Sequence, residues 1–451
     1  MDVQDRRILV IGMGKSGVAA AKALSSLGGE VTLADVKPRE ELEHAWQQLE
    51  GWPVKMHAGG YPAVGDYDLL VTSPGVPVWA EPLQEAVSQK IPVYSEIEIA
   101  YRYCRDPIVA VTGTNGKTTT AALIGQMFRD AGIPVTVTGN IGIPLIQEVL
   151  QGTSQIFVVE VSSFQLEWVE AFHPKVAIIT NLAPDHLDRH GSMENYRSVK
   201  ARIFVRQTLK DYTVLNYDDP AIKELGSSSP GQVIFFSRQH KLEKGVSVID
   251  GKICIAGAGN FEELCSVEEV SLPGAHNLEN ALAAVAAGWA MGLTGRTMAH
   301  SLRNFPGVPH RLERVAIIDG VQYINDSKGT NPDAAIKAME AFSSPLILIA
   351  GGSRKGSDFS LFAQKVKERV KELILVGETA QEILQAVTEL GYTSTHLVQS
   401  LREAVFLAYR LAEPGDLVML SPACASFDFF RNFEHRGEVF KSLVHELAQR
   451  K

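Results

Sequence analysis

Cysteine is scarce and scattered: Cys104, Cys254, Cys265 and Cys424 are the only four in 451 residues, and no two form a CxxC pair. That excludes a disulfide frame and a thiolate zinc site, and it suits a reduced cytosolic chain. Long apolar runs are missing as well. The run Ile8–Ile11 follows Asp2, Asp5, Arg6 and Arg7; it is too short for a secretory signal, and nothing approaches the roughly 20 residues of a membrane span. There is no basic excess: 43 Lys and Arg face 52 Asp and Glu, for a net charge of -9. This argues against a general binder of nucleic acid or of membrane surfaces. Repeats, heptads and low-complexity tracts are also absent. What remains is an ordinary globular balance, 45% apolar and 21% charged, on a chain long enough for about three domains.

The stretch Ile108–Asp130, IVAVTGTNGKTTTAALIGQMFRD, organises the rest. A short apolar strand empties into Thr112-Gly113-Thr114-Asn115-Gly116-Lys117-Thr118, and a helical pattern follows, opening with Thr119. Strand, glycine turn and helix aim backbone N–H groups and a helix N-terminus at one point, which suits an anion. Lys117 adds charge for the β- and γ-phosphates of ATP, and the Thr118 hydroxyl can reach Mg²⁺. Val111 stands where the full Walker pattern has glycine, so this is a shortened variant.

Upstream, Arg7–Ile11 reads as a strand followed by Gly12-Met13-Gly14-Lys15-Ser16-Gly17 and an alanine-rich helix. Asp35 ends a second strand. This is a GxGxxG fingerprint in its proper context. The ATP loop arrives too soon for a full dinucleotide domain, so a diphosphate with one nucleoside fits better than NAD; an NAD-dependent dehydrogenase is the distant alternative. Thr72-Ser73-Pro74-Gly75-Val76 adds backbone donors at the same sheet edge. Downstream, Glu160 interrupts an apolar strand near its end, either as a magnesium ligand or in a structural ion pair. Strand Val176–Asn181 runs into Leu182-Ala183-Pro184-Asp185-His186, where His186 alone reads equally well as a surface or capping residue. Lys200, on a helical stretch Asn195–Phe204, reads by itself as a solvated charge. Asn277 and Asn280 share one helical face, either capping a helix over Ala281–Met291 or presenting amides to a purine.

Past the breaker-rich linker Phe305–Pro309, which His310 and Arg311 follow, strands and helices alternate again: Val321–Ile324, Leu346–Gly351, Leu373–Val376 and Asp416–Leu420 are strand-like. Polar turns after them (Asn325–Asn331, Gly352–Gly356, Ser421–Ser426) suit a small acidic substrate. The expected architecture is α/β with three domains. Residues 1–95 are expected to form a Rossmann-like mononucleotide-binding domain, 96–300 a P-loop ATPase-like domain, and 301–451 a Rossmann-like, doubly wound domain for that small acidic substrate.

In order along the chain, TGTNGKT, EVSSFQLE, NLAPDHLDRH, GAHNLENAL, GVPHRLE, NDSKGTNPDA, GGSRKGSDF and SPACASFDFF resemble the Mur ligase family of peptidoglycan synthesis over essentially the whole length. GMGKSG, NDSKGTN and SPACASFDFF resemble most the branch that adds D-glutamate to UDP-N-acetylmuramoyl-L-alanine through an acyl phosphate; a relative adding another amino acid is the nearest alternative. The resemblance implies a bacterial cytoplasmic enzyme, monomeric, with small-molecule partners only. It places the UDP-sugar at Gly14, Asp35, Gly75 and Asn140, although Val36-Lys37 departs from the usual polar pair. It places ATP at Gly113 to Thr119, with Lys117 on the terminal phosphates, Asn277 and Asn280 at adenine, Asp326 at ribose and Arg311 at the phosphates. Two Mg²⁺ ions are implied, the first on Thr118 and Glu160, the second on His186 and a carbamate carried by Lys200. Lys328, Thr330, Lys355, Ser426 and Phe433 are implied to hold D-glutamate. His186 is also the candidate base for the incoming amine.

Overall fold

The computed structural model describes residues 1–140, 142–152, 156–257, 259–354 and 356–449. The first sheet contains β1 (Arg7–Ile11), β2 (Glu30–Asp35), β3 (Val54–Ala58), β4 (Leu69–Thr72) and β5 (Val93–Ser95), all parallel, in the order β3-β2-β1-β4-β5. Strands such as Leu69–Thr72 are buried along their whole length, as a sheet covered on both faces requires. The order reverses between β1 and β4, so the glycine turn after β1 and the Thr72–Val76 turn open at the switch point of the sheet, where such folds take ligands. β3 and β5 go beyond the strands legible in the sequence: Val54–Ala58 is only partly buried and Val93–Ser95 has three residues.

The second sheet contains β6 (Ile108–Thr112), β7 (Val135–Gly139), β8 (Ile156–Glu160), β9 (Val176–Ile179), β10 (Tyr212–Asn216), β11 (Gln232–Ser237), β12 (Gly245–Ile249), β13 (Lys252–Gly257) and β14 (Asn260–Ser266). Their order is β14-β13-β12-β11-β10-β9-β6-β8-β7. The sheet is parallel as far as β12, with β13 and β14 added antiparallel. β6 lies between β8 and β9, so the polar residues ending all three strands surround the turn after β6. The third sheet contains β15 (Glu313–Ile318), β16 (Val321–Asn325), β17 (Leu346–Ala350), β18 (Val370–Leu375), β19 (Thr395–Leu397) and β20 (Leu417–Leu420), in the order β15-β16-β20-β17-β18-β19. Only β15 in it runs antiparallel.

The chain divides into two compact units, residues 1–270 with 277–305 and residues 271–276 with 306–451. The first two sheets share the first unit because the helix Glu96–Tyr103 between them is buried from both sides. One apolar cluster runs from Ile8 and Val10 through Ile97 and Ala100 to Ile108 and Phe157. Two enclosed carboxylates pin this helix. Glu98 accepts from the backbone N–H groups of Glu170 (3.0 Å), Ala171 (3.0 Å) and Phe172 (2.9 Å) and from Arg102 Nε (2.7 Å). Glu96 Oε1 accepts from Ile146 N at 2.7 Å, while its Oε2 is buried with no partner among the described residues.

Burial pushes the Glu96 carboxyl up to about 7 from 4.5, against the Ile146 hydrogen bond. Between those two values the folded state holds a proton that the unfolded chain has released. Stability therefore falls as pH rises through this window, by about 3 kcal/mol in all. Glu96→Gln keeps the acceptor for Ile146 and does not titrate. Its melting temperature is expected to lose that part of the decline between pH 5 and pH 8; a decline equal to that of the parent would refute the assignment.

Candidate active site

β6 is buried at all five positions, and its end is shaped by β9 next to it. The Asn115 N–H donates to Asn181 Oδ1 (2.9 Å), Asn181 Nδ2 returns a bond to Asn115 O (3.0 Å), and Thr180 Oγ1 donates to the same carbonyl (2.6 Å). Thr114 N donates to Asn181 O at 3.0 Å, and Thr114 Oγ1 accepts from Ala183 N at 3.0 Å. Gly113 (φ +146°) and Gly116 (φ +81°) sit against other groups: a Cβ at Gly113 would lie 2.0 Å from Thr180 Oγ1, and one at Gly116 would lie 2.0 Å from Asn280 Oδ1. The helix Lys117–Asp130 starts directly after Gly116. Lys117 Nζ folds over the loop onto Gly113 O (3.1 Å) and Thr114 O (2.8 Å), and Thr119 is buried beneath it.

Glu160, the last residue of β8, stands in register with Val111 and is buried. Its Oε2 accepts from Thr118 Oγ1 at 2.7 Å and its Oε1 from Asn140 Nδ2 at 2.9 Å. The carboxylate therefore has oxygen and amide partners rather than a cation in an ion pair. No group of three or more His, Cys, Asp or Glu side chains gathers as a metal site among the described residues. Mg²⁺ does not need one, since it keeps waters and phosphate oxygens and takes one or two protein oxygens. The Thr118 and Glu160 pair fits that demand.

Lys200 lies on the helix Met193–Ala201, and it is buried, not solvated as the helix pattern alone suggests. Its Nζ donates to Gly113 O at 2.8 Å and stands 4.4 Å from the centre of the Tyr196 ring. Burial, and then the charge on Lys117, hold its amine well below the usual lysine value. His186 stands at φ +52° before the short helix Leu187–His190. Its Nε2 is 3.4 Å from Asp185 Oδ2 and its ring is edge-on to Phe164 at 4.8 Å. Asn277 and Asn280 are buried and joined to each other (3.2 Å). Their helix spans Ala275–Ala290 and so starts six residues earlier than the expected Ala281. Both amides are therefore inside the helix, and the capping alternative falls away.

At the edge of the first sheet, Asp35 Oδ2 accepts from Met13 N (2.8 Å) and Oδ1 from Lys37 N (3.1 Å), which fixes the glycine turn. Ser73 Oγ donates to Gly12 O at 2.8 Å and ties the two turns together. Gly14 and Gly75 face open space, where a Cβ would meet nothing within 4 Å.

In the second unit, Asp326 is enclosed at the end of β16. It accepts from Ser421 Oγ (2.7 Å) and Leu312 N (3.2 Å), and burial raises its carboxyl to about 6 despite Ser421 and Arg311. Arg311 is close enough to oppose that rise, yet its buried Nε has no hydrogen-bond partner among the described residues. Lys328 Nζ stands 5.5 Å from the centre of the Phe433 ring. Thr330 N is bonded to Lys328 O, and Ser426 is buried on the turn after β20. Lys355 lies outside the described residues. Arg436, not singled out in the sequence, joins the two turns: it donates to Ser327 Oγ (3.0 Å), Ser327 O (2.9 Å), Ala425 O (3.0 Å) and Cys424 O (3.1 Å).

Family models match along the chain: the MurD-like N-terminal domain of Mur ligases over residues 6–95, the Mur ligase middle domain over 111–288, and the Mur ligase glutamate ligase domain over 310–424. The UDP-N-acetylmuramoylalanine–D-glutamate ligase of Pelotomaculum thermopropionicum is 52% identical over 99% of both chains. The chain belongs to the Mur ligase family. A ligase of the same name from Thermoanaerobacter sp. (strain X514) is 45% identical over the full length of both. Among solved Mur ligases, the UDP-N-acetylmuramate-alanine ligase MurC of Thermotoga maritima covers 99% of this chain and 100% of its own (TM-score 0.61, 21% identity). A pseudomurein peptide ligase type C from Methanothermus fervidus covers 98% and 100% (TM-score 0.59, 19% identity). Both share the fold.

In this Mur ligase the phosphate loop has no slack. Gly116→Ala forces an L-residue into the left-handed region, costing about 1–3 kcal/mol, and drives its Cβ into a buried asparagine that is already bonded. ATP affinity is expected to fall by about ten-fold or more, read by calorimetry with ATP and Mg²⁺. Unchanged affinity would show that the loop yields. No helix among the described residues is long and apolar enough to cross a membrane.

Proposed function

We propose that this Mur ligase joins D-glutamate to UDP-N-acetylmuramoyl-L-alanine with ATP, as a bacterial cytoplasmic monomer. The observation that carries the reading is the cluster at the end of β6, where Lys117, the Thr118–Glu160 pair and a buried Lys200 all meet one glycine turn. That cluster suits phosphoryl transfer to a carboxylate; the identity of the carboxylate and of the amine is supported by the names of the relatives.

In this reading Gly14, Asp35 and Gly75 hold the UDP end, with Asn140 reaching that substrate from its place on Glu160. The turn Gly113 to Thr119 cradles the phosphates. Lys117 leaves the Gly113 and Thr114 carbonyls for the terminal phosphate, Asn277 and Asn280 face adenine, Asp326 the ribose, and the unsatisfied Arg311 Nε takes a phosphate oxygen. The L-alanyl carboxylate is a poor electrophile; its oxygen attacks the γ-phosphorus of ATP, ADP leaves, and an acyl phosphate results. Mg²⁺ on Thr118 and Glu160, and a second ion on His186 and Lys200, would offset the repulsion among these anionic oxygens. The neutral Lys200 amine is the form that attacks CO₂, forming an N–C bond and releasing one proton to give a carbamate, which supplies the second ion with an anionic oxygen. His186 Nε2 faces Asp185, which leaves Nδ1 for that ion. The proton of the incoming amine goes to His186 where its ring is not held by that ion, and otherwise to water. The amine of D-glutamate, held by Lys328, Thr330, Lys355, Ser426 and Phe433, attacks the acyl carbon; the C–N bond forms and phosphate leaves.

The test is phosphate release with ATP, Mg²⁺, UDP-N-acetylmuramoyl-L-alanine and a panel of amino acids of both hands. Release supported by D-glutamate alone is expected. Equal release with another amino acid, or release without any, would overturn the assignment.

A further inference from the structure

Arg189 belongs to none of the groups above, yet its side chain is only 9% exposed and all of its nitrogens are engaged. It lies three residues after His186. Nε donates to Glu167 Oε1 at 2.9 Å and Nη2 also meets Glu167 Oε2. Nη1 donates to Pro74 O and Nη2 to Val76 O, both at 2.8 Å. The guanidinium carbon stands 4.1 Å from the centre of the Phe164 ring, and that ring is in contact with His186 and His190. Pro74 and Val76 flank Gly75. One rigid planar group thus grips both sides of the turn after β4 in the first sheet while sitting on the ring that packs against His186 in the second. Glu167 orients the fork from behind.

We propose that Arg189 is a positioning residue for the nucleotide-linked substrate. Bound at the Gly75 turn, that substrate has to deliver its far carboxylate to the phosphate loop. Arg189 holds this turn at a fixed separation from the His186 loop, so the two ends of one ligand meet sites already in register. The proposal rests on the function given above. It needs the planar fork: lysine has the charge to face Glu167 but not the geometry to reach two carbonyls and lie flat on Phe164 as well.

Arg189→Lys and Arg189→Gln are the variants, the second serving if the first folds poorly. The KM for UDP-N-acetylmuramoyl-L-alanine is expected to rise about ten-fold or more, with kcat lowered and the KM for ATP within about two-fold. Calorimetric titration with the UDP-sugar alone should show the same loss of affinity. A merely structural arginine would lower the melting temperature and leave the two KM values unchanged, or move them together; either result overturns the proposal. If the parent chain binds the UDP-sugar but releases no phosphate with D-glutamate, the functional reading fails, and the titration still decides Arg189. A parent chain that does not bind the UDP-sugar overturns both.

Discussion

Lys200→Ala is expected to lose about three orders of magnitude in phosphate release, and added bicarbonate is expected not to restore it. The argument starts from the cost of the site. An ammonium group is held out of water beside Lys117, with one carbonyl and one ring face for company. Shedding the proton removes that conflict. The sign follows: with the folded value depressed, the unfolded chain binds more protons between it and 10.5, so this group adds stability as pH rises through that range. A neutral amine is what CO₂ requires, and alanine offers none, so bicarbonate has nothing to act on. The check is phosphate release by the variant with and without bicarbonate, beside a ¹³CO₂ spectrum of the parent that should show one protein-bound carbamate carbon. Full activity in the variant would remove the lysine from the mechanism.

Arg436→Met is expected to cost at least about 3 kcal/mol and to weaken D-glutamate binding. The guanidinium satisfies three backbone carbonyls and a hydroxyl in a buried place, and each orphaned acceptor costs roughly 1–3 kcal/mol. Burial already holds its value down, to about 10, so the charge is tolerated for these bonds. Urea unfolding should show an earlier transition for the second unit, and the KM for D-glutamate should rise while that for ATP changes less. An unchanged urea midpoint would refute the account.

The two cases mark what a sequence discloses. TGTNGKT is legible because strand, glycine turn and helix are local, and each residue does its work within a few positions of its neighbours. Apolar strands such as β1, β6, β8, β9, β17 and β20 were legible for the same reason, whereas β3, β5, β10 to β15 and β19 were not. Lys200 was not: its helix pattern reads as solvated, and its burial comes from Gly113, 87 positions away. Arg436 in NFEHRGEVF reads like a surface charge on an amphipathic helix, and the acceptors that bury it lie on Ser327, Cys424 and Ala425. Asn181 and Arg189 were missed likewise, since the carbonyls and amides they serve belong to other strand ends. The start of the helix Ala275–Ala290 was misread because its polar opening reads as a cap, whereas Asn277 and Asn280 are buried within the helix and Asn280 sits against Gly116.

The helix Glu96–Tyr103 carries a lesson for anyone recombining this scaffold. Its two acidic side chains reach amides at Ile146 and at Glu170–Phe172, so the helix belongs with the segments that follow it, and a cut after Tyr103 would part both carboxylates from those amides. A chimera that exchanges the front module together with this helix must carry those recipient segments along, or leave two carboxylates stranded in oil.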